Sequence, residues 1–351
     1  MWDAINFYQM LWNACWAFAA WSIVTLLILF VRRLIIQGHE RRREARRAVL
    51  QDLVFRYLEQ IETGEDPIPQ YLSPRDQRLL LSVATEMMRG VTGTMRDNLI
   101  KLLNTHLDRE RLLRGFERAA APARADLAAR LSWSDAPEVH AALYKALDDP
   151  SPDVVLVAAN ALIVAQQPIN LMTLVPKLEA RDMLGHRGIR DIFRKVAPQN
   201  AAVLFSLIDD PNPAIAVLAI DTMARAPTPA ALRRLRGMAQ SHPSVDVRTT
   251  ALRTIGLAGD PDSAEVITAA LSDPAWEVRA QAAIAAGRTR SAIALTKLTE
   301  LTRDSNWWVQ VRAAQALAKL GNAGLAVLER LLEDQDLHSL ADFALSERHA
   351  A

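Results

Sequence analysis

Two stretches, SDPAWEVRAQAAIAAG (272–287) and RDSNWWVQVRAAQALAKLG (303–321), are one pattern written twice. Each opens on a polar turn, passes through a valine and runs on in alanine. Outward from them lie SHPSVDV (241–247), DDPNPAI (209–215) and DDPSPDV (148–154). Their second residues stand at 149, 210, 242, 273 and 304, at intervals of 61, 32, 31 and 31. The first interval is two periods, with a worn copy near Arg181-Asp182, and one more period reaches Asp334 in a final half-repeat. A fixed period near 31 is the mark of a repeat array. In each copy the Asp is read as a helix cap and the next Pro as a first helical residue whose missing N–H costs nothing. VRTTALRTIG, VRAQAAIAAG and VRAAQALAKLG make second helices, and Ala264–Leu271 and Ile293–Leu301 make first helices of the following units. A single helix pair is too small to fold alone and buries its apolar face against the next.

Composition agrees. Half of the 351 residues are apolar and 23% are charged, so the chain is not disordered, and sparse glycine with abundant Ala and Leu favours helix. One cysteine, Cys15, excludes an intramolecular disulfide and a cysteine-based zinc site. The net charge of +1 hides a split. Arg32, Arg33, Arg41, Arg42, Arg43, Arg46 and Arg47 stand against Glu40 and Glu44, a local balance of +5. Removing that cluster and Asp3 leaves −3 for residues 48–351. An acidic main body argues against a general nucleic-acid binder, and no nucleic-acid partner is expected.

From Ala4 to Val31 no side chain is charged. Leu11–Val31 would make a helix of about 31 Å, enough to cross a bilayer core. Trp2, Trp12, Trp16 and Trp21, with Phe7 and Tyr8, fit an interfacial aromatic belt. The positive charges follow the apolar run instead of preceding it, which argues against a cleaved signal peptide and places the C-terminal side in the cytoplasm. The seven arginines are candidates for contact with anionic headgroups, so the lipid bilayer is an expected partner. Residues 45–62 read as an amphipathic helix, with Val49, Leu50, Leu53, Val54, Tyr57, Leu58 and Ile61 at helical spacing. Packing on the first repeat accounts for that face better than a dimerising stalk does. A loop spans Thr63–Ser73; helices then start at Ser73-Pro74, Thr94 and Asp108.

The units resemble HEAT-like repeats of the short bacterial, phycobilisome-lyase-like type. The Asp-Pro turn and the Val-Arg pairs 247–248, 278–279 and 311–312 carry the resemblance. Val154-Val155-Leu156 and Ile215-Ala216-Val217 lack the arginine, so the expected Asp–Arg ladder is interrupted there. The expected fold is all-α: a transmembrane anchor over 1–36, a basic juxtamembrane and amphipathic helix over 37–62, helical units over 63–118, and a HEAT-like solenoid with a half-repeat cap over 119–351. The ensemble is similar to membrane-anchored HEAT proteins of bacteria. That resemblance implies a single-pass inner-membrane protein with cytoplasmic repeats, some relatives accompanying cell-surface polysaccharide glycosyltransferases.

Catalytic signatures are missing from the sequence. The histidines at 39, 106, 140, 186, 242, 338 and 349 include no i, i+4 pair, and the only His-Glu dipeptide is 39–40. The His-Glu pairs of HEAT-repeat iron hydroxylases are therefore not matched, and no metal or other cofactor is expected. No phosphate loop or nucleophile elbow occurs. The resemblance leaves a lyase-type enzyme or enzyme subunit as the alternative; a deep pocket with convergent polar groups would favour it, a broad groove a scaffold. Nucleic-acid binding would need a continuous positive stripe along the concave face. The expected function is a non-catalytic scaffold for a membrane-associated protein partner, with Trp276, Arg279, Trp307, Trp308 and Arg312 as the candidate contact rim; the alternative for these residues, and the stronger one, is that the rings pack between repeats and the arginines pair with Asp273, Asp304 or Asp334.

Overall fold

The computed structural model describes the backbone of residues 2–60, 66–88 and 90–350. It describes the side chains of these residues except 2–15, 17–20, 22–23, 31, 34–36, 38–39 and 348–350. Among the described residues every regular element is helical. The chain divides into two compact units, 1–139 and 140–351.

Unit 1 begins with α1 (Trp2–Gln60), followed by α2 (Pro74–Met88), α3 (Thr94–His106), α4 (Arg109–Arg118), α5 (Ala121–Leu131) and the start of α6 (Pro137–Ala146). The expected starts at Ser73 and Asp108 carry true caps: the Ser73 hydroxyl accepts from Asp76 N–H and the Asp108 carboxylate from Arg111 N–H. Leu50, Val54 and Tyr57 of α1 are buried where it packs on α2 and α3, which is the packing reading of the amphipathic face. Two of the arginines read as a membrane contact turn to α2 instead. Arg46 makes a two-pronged bond to Asp76 at 2.9 and 3.1 Å, and Arg47 pairs with Glu86. Both lie within one turn of buried Leu50, on the side that meets α2. Arg32, Arg33, Arg41, Arg42 and Arg43 are exposed. Among the described residues no helix is long and apolar enough to cross a membrane. The expected span Leu11–Val31 falls largely on residues whose side chains lie outside the described ones.

Unit 2 contains α7 (Pro152–Val164), α8 (Leu171–Glu179), α9 (Arg187–Val196), α10 (Ala201–Leu207), α11 (Pro213–Met223), α12 (Pro229–Ser241), α13 (Val245–Ala258), α14 (Ala264–Ala270), α15 (Trp276–Thr289), α16 (Leu295–Leu301), α17 (Trp307–Lys319), α18 (Asn322–Leu331) and α19 (His338–Ala350). The second helices α11, α13, α15 and α17 stack on one another, and each first helix covers its own second helix. Small residues set the spacing of the stack. Ala282, Ala283, Ala313 and Ala314 are fully buried. A Cβ on Gly256 would lie 2.9 Å from the Cα of Ala285, and one period later a Cβ on Gly287 would lie 3.0 Å from the Cα of Ala316.

The turn chemistry differs from the sequence reading in a regular way. The Asp of each copy is not the helix cap. Its carboxylate accepts the N–H two residues on: Asp149 from Ser151, Asp210 from Asn212, Asp273 from Ala275, Asp304 from Asn306 and Asp334 from Asp336, at 2.8–3.0 Å. These are Asx turns. His242 does the same with its Nδ1 toward Ser244 N–H, which explains a histidine in the aspartate position. The helix proper starts just after the residue whose N–H is accepted, with Pro152 and Pro213 as its first position.

Candidate functional site: the edge and groove of the second helices

The Asp–Arg ladder is built twice. Arg248 reaches Asp273 through two bonds of 2.9 Å, and Arg279 reaches Asp304 at 2.8 and 2.9 Å. Each arginine also donates to carbonyls of its own turn, Arg248 to His242 and Pro243, Arg279 to Asp273 and Pro274. One side chain thus ties two consecutive units. These pairs are nearly dry: side-chain exposure is 11% and 10% for the first, 15% and 7% for the second. Burial, the strongest single influence on Asp304, pushes its carboxyl up. The bonds from Arg279 and Asn306 N–H, with the charge of Arg279 and a bond from Ser305, outweigh it and hold the group below the usual carboxylate range.

The third rung corrects the sequence reading. A strict period of 31 carries Asp273, Val278 and Arg279 to Asp304, Val309 and Gln310, not to Val311-Arg312. Gln310 donates to Asp304 O at 2.6 Å, taking over the carbonyl contact of Arg279. Asp334 pairs with Arg303 instead of Arg312. In the interrupted units other residues fill in: Arg181 donates to the carbonyls of Asp148 and Asp149 at 2.8 and 2.9 Å.

Arg312 is therefore the register equivalent of Gln281. Its guanidinium carbon sits 5.9 Å from the Trp308 ring centroid, and its Nη1 donates to Gln315 at 2.8 Å. Trp307 and Trp308 meet edge to face at 4.9 Å between centroids. Both open α17, where Asn306 caps the helix by accepting Trp308 N–H at 2.9 Å. Trp276 opens α15 one period earlier. All three rings face solvent: Trp276 is 39% exposed, Trp307 59% and Trp308 50%. So of the five residues of the candidate rim, Trp276, Trp307, Trp308 and Arg312 lie on the surface or at its margin, while Arg279 is committed to the ladder.

Beside this edge lies a groove that sequence reasoning missed. About 730 Å³ of open space crosses the second helices from the approach to α9 through α11 and α13 to α15, lined among others by Arg190, Asp221, Asp246, Thr249, Arg253 and Gln281. Asp221 sits at its floor, 12% exposed, with Arg253 bonded to it and Arg190 at 3.8 Å. The signal was available as register: residues 31 apart on second helices share one face. A separate groove of about 440 Å³ in unit 1 includes Arg78, Arg111, Arg114 and Arg118 in its lining. Among the described residues no group of three His, Cys, Asp or Glu is placed to hold a metal.

These features define an α-helical repeat array whose second helices present an aromatic edge and a broad groove. Over residues 201–341 these are HEAT repeats: the HEAT-repeat family model matches residues 201–286, 238–318 and 264–341. No curated protein sequence matches the chain. Among solved structures, human deoxyhypusine hydroxylase in complex with glycerol is similar at 16% identity, over 87% of this chain and 98% of that one, with a TM-score of 0.31. An engineered protein is similar at 16% identity, over 88% and 95%, with a TM-score of 0.36. Kap95p, from a study of its binding to RanGDP, is similar at 12% identity, over 79% of this chain and 45% of that one, with a TM-score of 0.45.

Proposed function

We propose that this chain is a membrane-tethered, non-catalytic scaffold that holds a protein partner against the edge formed by Trp276, Trp307, Trp308 and Arg312. The observation that carries the reading is the exposure of two adjacent tryptophans at the start of α17, one with an arginine over its ring. Exposed aromatic clusters of this kind are costly in water and act as interface anchors, each worth about 2 kcal/mol or more when buried by a partner. Repeat arrays offer such surfaces as a rule.

The tether rests on the uncharged stretch Ala4–Val31 and on a second feature. Val24, Leu26, Leu27, Ile28, Leu29 and Phe30 are all exposed, between 51% and 66%. A helix apolar on every side and covered by no protein is suited to a bilayer. The five exposed arginines after it would then lie at the cytoplasmic headgroups of a bacterial inner membrane. A membrane-bound partner confined to the same face would meet the repeats at raised effective concentration. The family resemblance makes a cell-surface polysaccharide glycosyltransferase the first partner to test.

The test is crosslinking followed by affinity purification from detergent-solubilised membranes. Wild type should recover a discrete membrane partner. Trp307→Ala with Trp308→Ala should lose it while the circular dichroism and thermal unfolding of the protein stay unchanged. Equal recovery by the double variant would sink the rim.

A further inference from the structure

At one register position near the end of each second helix stand Arg194 on α9, Arg225 just past α11, Leu257 on α13, Arg288 on α15 and Lys319 on α17. The intervals are 31, 32, 31 and 31, and the longer one falls in the unit that also lengthens the turn spacing from 210 to 242. All five are exposed. Arg253, one turn before Leu257, closes the gap: Arg194, Arg225, Arg253 and Leu257 line one cavity of about 360 Å³, which shares Asp221 and Arg253 with the larger groove. The dipole at a helix C-terminus favours a cation at each site. It supplies only a partial negative charge, not a counter-ion. Several other cations of the unit are paired, as Arg234 is with Asp209 and Arg236 with Asp260, whereas among the described residues Arg187, Arg233 and Arg290 are not. Among the described residues Arg194, Arg225, Arg288 and Lys319 make no ion pair and no side-chain hydrogen bond.

We propose that this row, with the groove beside it, binds an acidic polypeptide segment lying extended across the repeats from α9 to α17. This deepens the scaffold reading and rests on it. Packed helices stand about 8–10 Å apart, and an extended chain rises about 3.3 Å per residue, so an acid at every third residue meets one cation per repeat. In the adjoining groove Thr249 and Gln281, about two turns toward the N-terminal ends of α13 and α15, add neutral polar groups beside the row. The features around the row disfavour a polyphosphate. Asp221 lies in the groove floor, Asp246 and Glu277 stand near the opposite ends of α13 and α15, and residues 48–351 are net negative. A nucleic acid needs basic charge on a wider surface.

The experiment uses the full chain in detergent micelles and fluorescence anisotropy. The probe is a fluorescein-labelled peptide of about five Glu-Gly-Ser triplets, with the Lys-Gly-Ser peptide and an oligothymidylate of equal charge as comparisons. The Glu peptide should bind saturably, more weakly at high salt, and the Lys peptide should not bind. Changing Arg194, Arg225, Arg288 and Lys319 together to Gln should weaken the Glu peptide about 30-fold or more, the combined effect of four exposed ion pairs. All four sites are exposed, so thermal unfolding should not move; the pair Arg225→Gln, Arg288→Gln gives a milder variant with an intermediate loss. Trp307→Ala with Trp308→Ala should keep peptide binding, which separates this row from the aromatic edge. No saturable binding, or equal binding by the Gln variant, overturns the proposal. So does tighter binding of the oligothymidylate, lost in the same variant, which would assign the row to single strands. Failure of the scaffold reading is read separately, as the absence of any crosslinked partner in wild type.

Discussion

Arg279 shows how one side chain decides the coupling of two units. It donates to the carbonyls of its own turn and, through two bonds, to Asp304 of the next. Both partners are largely removed from water, and a buried pair of this kind is fragile in one direction: losing one member leaves the other charged and unsolvated. Arg279→Ala is therefore expected to destabilise the protein by about 3–5 kcal/mol, read from chemical denaturation. Replacing both members, Arg279→Met with Asp304→Leu, should recover much of that loss. The same pair sets an acid limb. Asp304 is held below its ordinary carboxylate value in the folded state, so its contribution is complete above the unfolded carboxyl value of about 3.9 and disappears as pH falls through the lower folded value. Thermal unfolding of wild type should fall in that acid window. Asp304→Asn should be less stable at neutral pH and flatter below pH 4. An unchanged acid limb in that variant would remove Asp304 from the account.

At the scale of helices, the stack of second helices is set by what is missing from their facing surfaces. Gly256 leaves no room for a Cβ against Ala285, because the obstacle is backbone. Gly256→Ala gains about 1 kcal/mol in helix propensity but must separate α13 from α15, so a net loss is expected in thermal unfolding. Leu at Ala282, Ala283, Ala313 or Ala314, tested singly, should cost about 1–3 kcal/mol by overpacking. If all four are neutral, the register is wrong. The period itself was legible, because a turn aspartate every 31 residues and a following alanine run both repeat. Two finer points were not. An aspartate before Pro looks the same whether it caps a helix or closes an Asx turn; only the N–H it accepts from distinguishes them, and that depends on where the helix begins. The third rung was misplaced because Val311-Arg312 imitates the dipeptide, whereas the strict period selects Val309-Gln310. The exposure of Trp307 and Trp308 was expected of a contact edge, but a sequence cannot separate it from packing between units. The groove and its basic row were visible only as register: Arg194, Arg225, Arg288 and Lys319 are far apart in the chain and carry no local motif.

Across the whole molecule the decisive quantity is the distribution of charge. A net charge of +1 conceals a 28-residue uncharged stretch, a cluster of +5 and a body of −3. In water the first part is unfavourable, because Val24 and Leu26 to Phe30 expose apolar surface around the whole circumference of α1. In a bilayer it would be favourable, and under the tether proposed above the order of the segments would set the orientation. Arginine within about 15–20 residues of a span is retained on the cytoplasmic side, whereas acidic residues contribute little, so Glu40 and Glu44 do not offset the seven arginines. Arg46 and Arg47 are engaged by α2, but Arg32, Arg33, Arg41, Arg42 and Arg43 remain exposed and suffice for the bias. The full chain should therefore pellet with membranes and resist alkaline extraction. A fluorescent reporter fused after Ala351 should be active, and an alkaline phosphatase fused there, which works only outside the cytoplasm, should be silent. Replacing Arg32, Arg33, Arg41, Arg42 and Arg43 with Gln should reduce or invert this bias while leaving the chain in the membrane, since the apolar run is untouched. Active phosphatase on the wild-type fusion would reverse the orientation and keep the tether. Release of wild type by alkaline extraction would remove the tether and leave the exposed face of α1 to be covered by protein.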